Sequence, residues 1–339
     1  MLVLDNALLL SLPQSKGQAT TLSAITPVRG QPPYNAPMDA HTYLLAGLLS
    51  RHFALGRIVR FRSVTRGRQA TCYEVFTAEE REFLVHLYPP AFPADALERM
   101  AKAVNAIDAE RFSVVPFQSA NDGHYVVAGP QHSRMMVGLN PVGTYLLPDQ
   151  YTDHDLSQLG LRLAWLHRLL FEQLGSPLED SLSRQLLAVS PEAQTKWALA
   201  DAPTLLAELE DSLEATPAPA WAHGDLQPAA VLVDDDHQLR TVVDFALLTP
   251  ADPLEDLVDV ALHWCMAGDS LNGDRARSVF EAYRSLRSID PERWGGAMDR
   301  YLARRLVAAA FATRPLPRNL SLLINQRSGL AKCLVEFSD

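Results

Sequence analysis

Between Ile58 and Leu139 the chain passes through five short segments rich in Val, Phe, Tyr and Thr, and after residue 140 its periodicity becomes mainly helical. Three of the segments, Ile58–Val64, Thr71–Thr77 and Glu82–Tyr88, are parted only by polar TRGRQ and AEER, the pattern of successive antiparallel strands. A helix is expected at Asp95–Ile107, where Leu97, Met100, Ala101, Val104 and Ile107 share one face. Two further strands are expected at His124–Ala128 and Arg134–Leu139, and Asn140-Pro141-Val142-Gly143 then breaks the pattern. Strands gathered at the front and helices behind are the mark of an α+β chain, not of an alternating, doubly wound sheet.

The flanks fit this order. Residues 1–37 are rich in Gly, Pro and Ser without a sustained period and read as an extension, with at most a short strand at Leu2–Leu4 or Leu8–Leu10. Met38–Phe53 has Tyr43, Leu44, Leu48 and Leu49 at helical spacing, with Asp39 as cap. Behind the break, the clearest helix is Asp155–Leu174, with Asp155 and Gln158 as its start signal and Leu156, Leu159, Leu163, Leu166 and Leu170 as its stripe. Helical stretches follow at Leu182–Val189, Glu192–Leu199 and Pro203–Leu213. One hairpin interrupts them: Ala230–Val233, a turn DDDHQ, and Leu239–Phe245. No repeat of solenoid length is present.

Charge narrows the function. The chain carries 30 basic and 40 acidic side chains, net −10, which argues against a nucleic-acid partner. The excess lies at the back: residues 1–150 are near +1 and residues 151–339 near −11. Three dispersed cysteines without a Cys-x-x-Cys pair fit a reducing compartment. The run MLVLDNALLLSLPQ carries an Asp where an export signal needs positive charge, and no window reaches the roughly 20 apolar residues of a membrane span. The expectation is a cytoplasmic protein with no membrane contact. Neither a Walker loop, G-x-G-x-x-G, G-x-S-x-G nor a metal-spaced histidine pair occurs.

Chemistry concentrates in WAHGDLQPAAVLVDDDHQLRTVVDFALLTPADPLEDLVDV, Trp221 to Val260. Here His223-Gly224-Asp225-Leu226, the hairpin, Val243-Asp244-Phe245-Ala246 and the Asp252-Pro253…Asp256 turn resemble the signatures of the aminoglycoside phosphotransferase and choline kinase superfamily. Upstream, LGLRLAWLHRL (Leu159–Leu169) is similar to that family's Leu-rich helix. The resemblance spans roughly residues 40–310. It implies a two-lobe, protein-kinase-like fold, with residues 38–140 as the nucleotide-binding lobe and 141–339 as the helical lobe with the catalytic loop and acceptor site. It also implies ATP and Mg²⁺ as cofactors and a small-molecule hydroxyl as acceptor. Asp225 would orient or deprotonate that hydroxyl, and Asp244 would hold the metal against the phosphates, since phosphoryl transfer asks mainly for alignment and charge neutralisation.

Against the family pattern three positions depart. The Asn that would follow the catalytic Asp by five residues is Ala230, and a methyl group cannot bind a metal. The cation of the third strand is His86, neutral at pH 7 with one donor. The turn Thr65–Ala70 has only one glycine, Gly67, with Ala70 in the Asn place. Substitutes are at hand. Arg57, Arg60, Arg62, Arg66 and Arg68 lie within twelve residues, and an arginine such as Arg68 suits a phosphate. Glu98 stands where the family's ion-pair Glu would lie and could meet His86, and Gln227 could reach a phosphate or metal. Asp252, Glu255, Asp256, Asp259, Asp269 and Asp274, with Trp264, offer either a pocket for a cationic acceptor or structural acidity. His223 is expected to brace the loop. Two functions stay open: an active small-molecule kinase, or a pseudokinase that binds protein partners or regulates.

Overall fold

The computed structural model describes residues 40–64, 70–107, 112–145, 150–176, 182–197, 201–215, 220–236, 238–268, 270–311 and 318–338. The extension 1–37 and the turn carrying Arg66, Gly67 and Arg68 lie outside these residues, as does Asp269.

Helix α1 (Ala40–His52) leads into strands β1 (Ile58–Val64), β2 (Thr71–Thr77) and β3 (Glu82–Tyr88), then helix α2 (Ala94–Ala106), β4 (Val127–Ala128) and β5 (Arg134–Leu139). The five strands form one antiparallel sheet in the order β1-β2-β3-β5-β4. Register sorts its faces. Tyr73, Val85 and Val137 align across three strands, Val75 and Phe83 align across two, and with Met135 they pack under α1. Leu45 and Leu49 are the buried residues of that helix, and burying each contributes about 1.5–3 kcal/mol. Tyr43 and Leu44, expected on the buried stripe, are exposed instead. The helix is turned so that Leu45, Leu49 and Phe53, four residues apart, meet the sheet. The opposite face carries the rows Cys72–His86–Met136 and Arg62–Glu74–Leu84–Gly138.

Beyond the sheet come β6 (Thr144–Tyr145), α3 (Asp153–Leu174), α4 (Leu182–Leu187), α5 (Pro191–Lys196) and α6 (Ala202–Ala215). They are followed by β7 (Ala220–Ala222), β8 (Val231–Val233), β9 (Leu239–Val242), β10 (Thr249–Ala251) and α7 (Pro253–Trp264). The short pair β11 (Met266–Ala267) and β12 (Ser270–Leu271) precedes α8 (Gly273–Arg284), α9 (Trp294–Phe311) and α10 (Arg318–Ser338). The main core is shared by α2, α3, α6, α7, α8 and α9 and runs up to Tyr88 and Met136 on the underside of the sheet. Helices α3 and α8 approach so closely at Gly160 that a Cβ there would strike the Val279 carbonyl.

Several boundaries differ from the sequence reading, and three of the differences have a clear physical reason. Helix α3 starts at Asp153, because Thr152 caps it and closes a capping box with Asp155. The fourth strand keeps only two residues, since the Tyr125 and Val126 N–H groups donate to the Glu98 carboxylate instead of a neighbouring strand. The second hairpin strand ends at Val242: the Val243 N–H donates to the Ala230 carbonyl, and Asp244 then adopts a left-handed conformation, φ 64°, ψ 48°. Among the described residues no helix is long and apolar enough to cross a membrane.

Candidate active site

The loop around Asp225 is cinched at both ends. Strand β7 delivers the chain into it and pairs with β10, and β8 with β9 closes the hairpin that leaves it. Gly224 has φ +83°, and a Cβ there would collide with the Leu247 carbonyl, so the turn needs glycine. His223 ties the loop across to the hairpin's far end. Its Nε2 donates to the Val243 carbonyl (2.8 Å), and its Nδ1 accepts the Asp225 N–H (3.3 Å). With both nitrogens engaged and the ring buried against Phe245, His223 is a strut that fixes Asp225 relative to Asp244.

A second strut comes from α7. The Asp256 carboxylate accepts the His223 N–H at 2.7 Å, the Gly224 N–H at 2.8 Å and His167 Nε2 at 2.9 Å. His167, from the Leu-rich helix α3, accepts a hydrogen bond from the Tyr283 hydroxyl at its other nitrogen (2.9 Å). Burial pushes the His167 imidazole below its ordinary range, against the opposing pull of Asp256.

The other acidic residues of this region are consumed likewise. Asp252 caps α7 and pairs with Arg293; Glu255 accepts Arg300 (2.9 Å) and Arg304 (3.0 Å). Trp264 is buried and donates its indole N–H to the Leu226 carbonyl (3.0 Å). Asp274 is exposed and pairs with Arg277. Among the described residues Asp252, Glu255 and Asp256 serve as structural acids, and Trp264 is sealed in the core. The signal was in the sequence: acids at 252, 255, 256 and 259 share one helical face, and arginines at 293, 300, 304 and 305 complement them.

Asp225 itself is 1% exposed. Its Oδ2 accepts Gln227 Nε2 (3.0 Å), and its Oδ1 accepts Arg305 Nη1 (2.9 Å). Gln227 is thus joined to Asp225. Arg305, which the sequence reading did not single out, also reaches Asp259 Oδ1 through Nη2 (2.6 Å). Burial alone would raise the Asp259 carboxyl, but Arg305 and His263 hold it well below the usual carboxylate range.

Asp244 lines an open cleft beneath the sheet together with His86, Leu84, Phe117, Tyr145 and Phe245. Tyr88 borders the same cleft, and burial, with the nearby Asp244 charge, pushes its hydroxyl well above its ordinary value. His86 lies 3.6 Å from the Cys72 sulfur and stacks on Tyr88 at 6.0 Å between centroids. Glu98 is not its partner. That carboxylate clamps the Tyr125–Val126 backbone and lies 3.5 Å from His124, so in place of the His86–Glu98 pair that the sequence allowed there is a loop brace. Ala230 is buried, and its N–H donates to the Gln227 carbonyl (2.8 Å). Of the arginines, Arg62 is paired with Glu74, and Arg60 sits 3.7 Å over the Phe76 ring. Among the described residues no three His, Cys, Asp or Glu side chains converge on a metal-sized site.

The fold has many solved counterparts. A choline kinase, LicA from Streptococcus pneumoniae, superposes with a TM-score of 0.61 at 12% identity, covering 87% of this chain and 99% of its own. A microcompartment-associated aminopropanol kinase gives 0.59 at 20%, covering 87% and 96%. The amicoumacin kinase hAmiN, in complex with AMP-PNP, Ca²⁺ and Ami, gives 0.59 at 14%, covering 89% and 94%. At these identities the likeness establishes the fold, a two-lobe, protein-kinase-like arrangement of a five-stranded sheet over a helical lobe. No functionally curated protein matches the sequence. The family model described as "Phosphotransferase enzyme family" (APH) matches residues 60–296, most of the chain, and the protein belongs to that family.

Proposed function

We propose that the protein is an ATP- and Mg²⁺-dependent phosphotransferase that acts on a hydroxyl group of a small molecule. The observation that carries this reading is the His223 strut, which holds the Asp225 loop against the Val243–Asp244 turn and so keeps two carboxylates in one fixed frame. The neighbouring kinases of choline and aminopropanol, whose named substrates are small hydroxyl-bearing amines, support the acceptor class.

The residues present fit a nucleotide and one metal ion. Leu84, Phe117, Tyr145 and Phe245 offer apolar walls to a planar base. Mg²⁺ takes hard oxygen ligands and is commonly held by one or two carboxylates with phosphates and water, so Asp244 suffices as its protein anchor, where the ion would neutralise phosphate charge. Ala230 supplies no donor for a second ion. Asp225 would receive the hydroxyl proton as the acceptor oxygen bonds to phosphorus and the phosphorus–oxygen bond to the leaving diphosphate breaks. Gln227 holds the receiving carboxylate in orientation. A cationic acceptor would have to draw on groups other than Asp252, Glu255, Asp256 and Asp259.

The pseudokinase reading is favoured by two features, the buried methyl of Ala230 where a metal-binding amide would stand and His86 in the cleft where a cation would stand. Melting temperature with ATP, with and without Mg²⁺, separates the two, because a ligand that binds only the folded state raises it. A Mg²⁺-dependent rise, lost in Asp244→Ala, followed by turnover in a screen of hydroxyl acceptors, is the expected result. No rise under any condition would favour the pseudokinase.

A further inference from the structure

Asp225 is held at both oxygens, and only one of the two holders belongs to its own loop. Gln227 is two residues away, whereas Arg305 comes from α9, 80 residues downstream. The Arg305 guanidinium is planar and can serve two carboxylates at once. It does so here, with Nη1 on Asp225 and Nη2 on Asp259, and its side chain is 15% exposed against 1% for each acid. Asp259 is fixed in turn, standing on α7 with His263 Nδ1 at 3.3 Å, and its Oδ2 has no hydrogen-bond partner among the described residues. The neighbouring Arg304 points elsewhere, to Glu255, Thr249 and Pro250, so the direction of Arg305 is specific to its position.

A buried Asp–Arg–Asp arrangement is a poor device for stability alone. Desolvating its charges offsets most of their attraction, and apolar residues of similar volume commonly do as well or better. What such an arrangement supplies is direction. Each carboxylate oxygen has two lone pairs. With one taken on each side, Asp225 keeps a fixed plane and retains a free acceptor position on each oxygen.

Resting on the phosphotransferase reading above, we infer that Arg305, anchored by Asp259, is the positioning residue that sets the orientation of Asp225 for the acceptor hydroxyl. It acts through Asp225 and not on the nucleotide. That distinction makes it separable from a merely structural arginine.

The test uses the full chain and hydrolysis of MgATP, with water as the acceptor. In Arg305→Gln, kcat falls about 100-fold, the order expected for a reacting group displaced by an ångström, while KM for ATP stays within about twofold. Arg305→Lys keeps the charge but not the planar fork and recovers about tenfold of that loss. Asp259→Asn, which leaves the Arg305–Asp225 contact but frees its far end, loses less than Arg305→Gln. Should Arg305→Gln fail to fold because two like charges are stranded, the double variant Arg305→Met/Asp259→Asn removes that repulsion, and the same split is expected of it. A second readout needs no nucleotide: urea unfolding of Asp225→Asn, Arg305→Gln and the double variant must be non-additive.

Unchanged kcat in folded Arg305→Gln, or additive unfolding, overturns the inference and leaves the phosphotransferase reading standing. Loss of kcat matched by an equal rise in KM overturns it too. A wild-type chain that neither hydrolyses MgATP nor melts higher with it overturns the reading itself, and the inference with it; where MgATP binds without hydrolysis, additive unfolding alone overturns the inference.

Discussion

The two walls of the cleft are built on different principles. The lower wall, the Asp225 loop and the hairpin behind it, is a closed hydrogen-bond network: His223, Asp256, His167 and Tyr283 form one chain of contacts in which both nitrogens of each imidazole are used. The upper wall, the underside of the sheet, is mostly apolar, with His86 stacked on Tyr88 where the family places a cation. On the phosphotransferase reading proposed above, the difference teaches that holding the acceptor-activating carboxylate and neutralising the nucleotide's charge would be physically separate tasks. The first would be met by rigid bracing, which leaves a legible geometry. The second would be met by field, which can be supplied from several places.

The largest effect should come from breaking the lower wall at its centre. Asp225→Asn keeps the shape and removes the proton-accepting charge, so phosphoryl transfer should fall by about 10²–10⁴-fold, the usual weight of a general base. Nucleotide binding, read as the MgATP-induced rise in melting temperature, should survive. A variant that transfers at the wild-type rate would remove Asp225 from the chemistry. Next comes the strut beneath it. Asp256→Ala leaves the buried His223 N–H, the half-buried Gly224 N–H and the His167 Nε2–H without their acceptor, at a cost of about 3–5 kcal/mol in unfolding free energy. A loss below about 1 kcal/mol would show that the loop holds itself.

The upper wall is tested by adding what it lacks. His86→Lys places an ammonium among the cleft-lining residues, and MgATP affinity measured by calorimetry should rise about tenfold, the worth of one modest charge-assisted contact of about 1.4 kcal/mol. No gain would mean that phosphate charge is met from another part of the cleft and that the two walls are less distinct than they look.

How much of this was legible in the sequence follows the same division. The three strands Ile58–Val64, Thr71–Thr77 and Glu82–Tyr88 match the structure residue for residue, because β-branched and aromatic runs bounded by polar turns leave little choice. The buried side of α1 differs from the sequence expectation, since Tyr43, Leu44, Leu45, Leu48 and Leu49 satisfy two helical stripes and only the sheet decides between them. The strand at His124–Ala128 shortened because a side chain, Glu98, took its backbone donors, a tertiary event with no local trace. Of the candidate residues, His86 and Asp244 are singled out by the motif order and line one cleft in the structure. Arg305 is not, although its helix carries Arg300, Arg304 and Arg305 in an otherwise apolar run, opposite the acids of α7. Reading those two charged faces as complementary would have found the network, though not which acid each arginine meets.

The smallest effect tests whether the lower wall is as closed as its geometry says. His167 is fully buried, and burial holds its imidazole below the ordinary value of 6.5 despite the Asp256 carboxylate at 2.9 Å. In the unfolded chain the same ring titrates near its ordinary value. As pH falls below about 6.5 the unfolded state therefore takes up a proton that the folded state refuses, and stability declines by up to about 1.4 kcal/mol per pH unit until the folded ring also titrates. The acids of the site work in a lower window. Asp259, whose folded carboxyl is held low, contributes stability that is lost only as pH drops below the ordinary carboxylate range. Urea unfolding at pH 7.5 and 5.5 should thus show a loss of stability in the wild type that is absent in His167→Asn, whatever the two proteins' absolute stabilities. An equal loss in both would place the titration elsewhere, and would mean that the Asp256 network admits a proton, and with it enough relaxation to make the braced wall as yielding as the sheet above it.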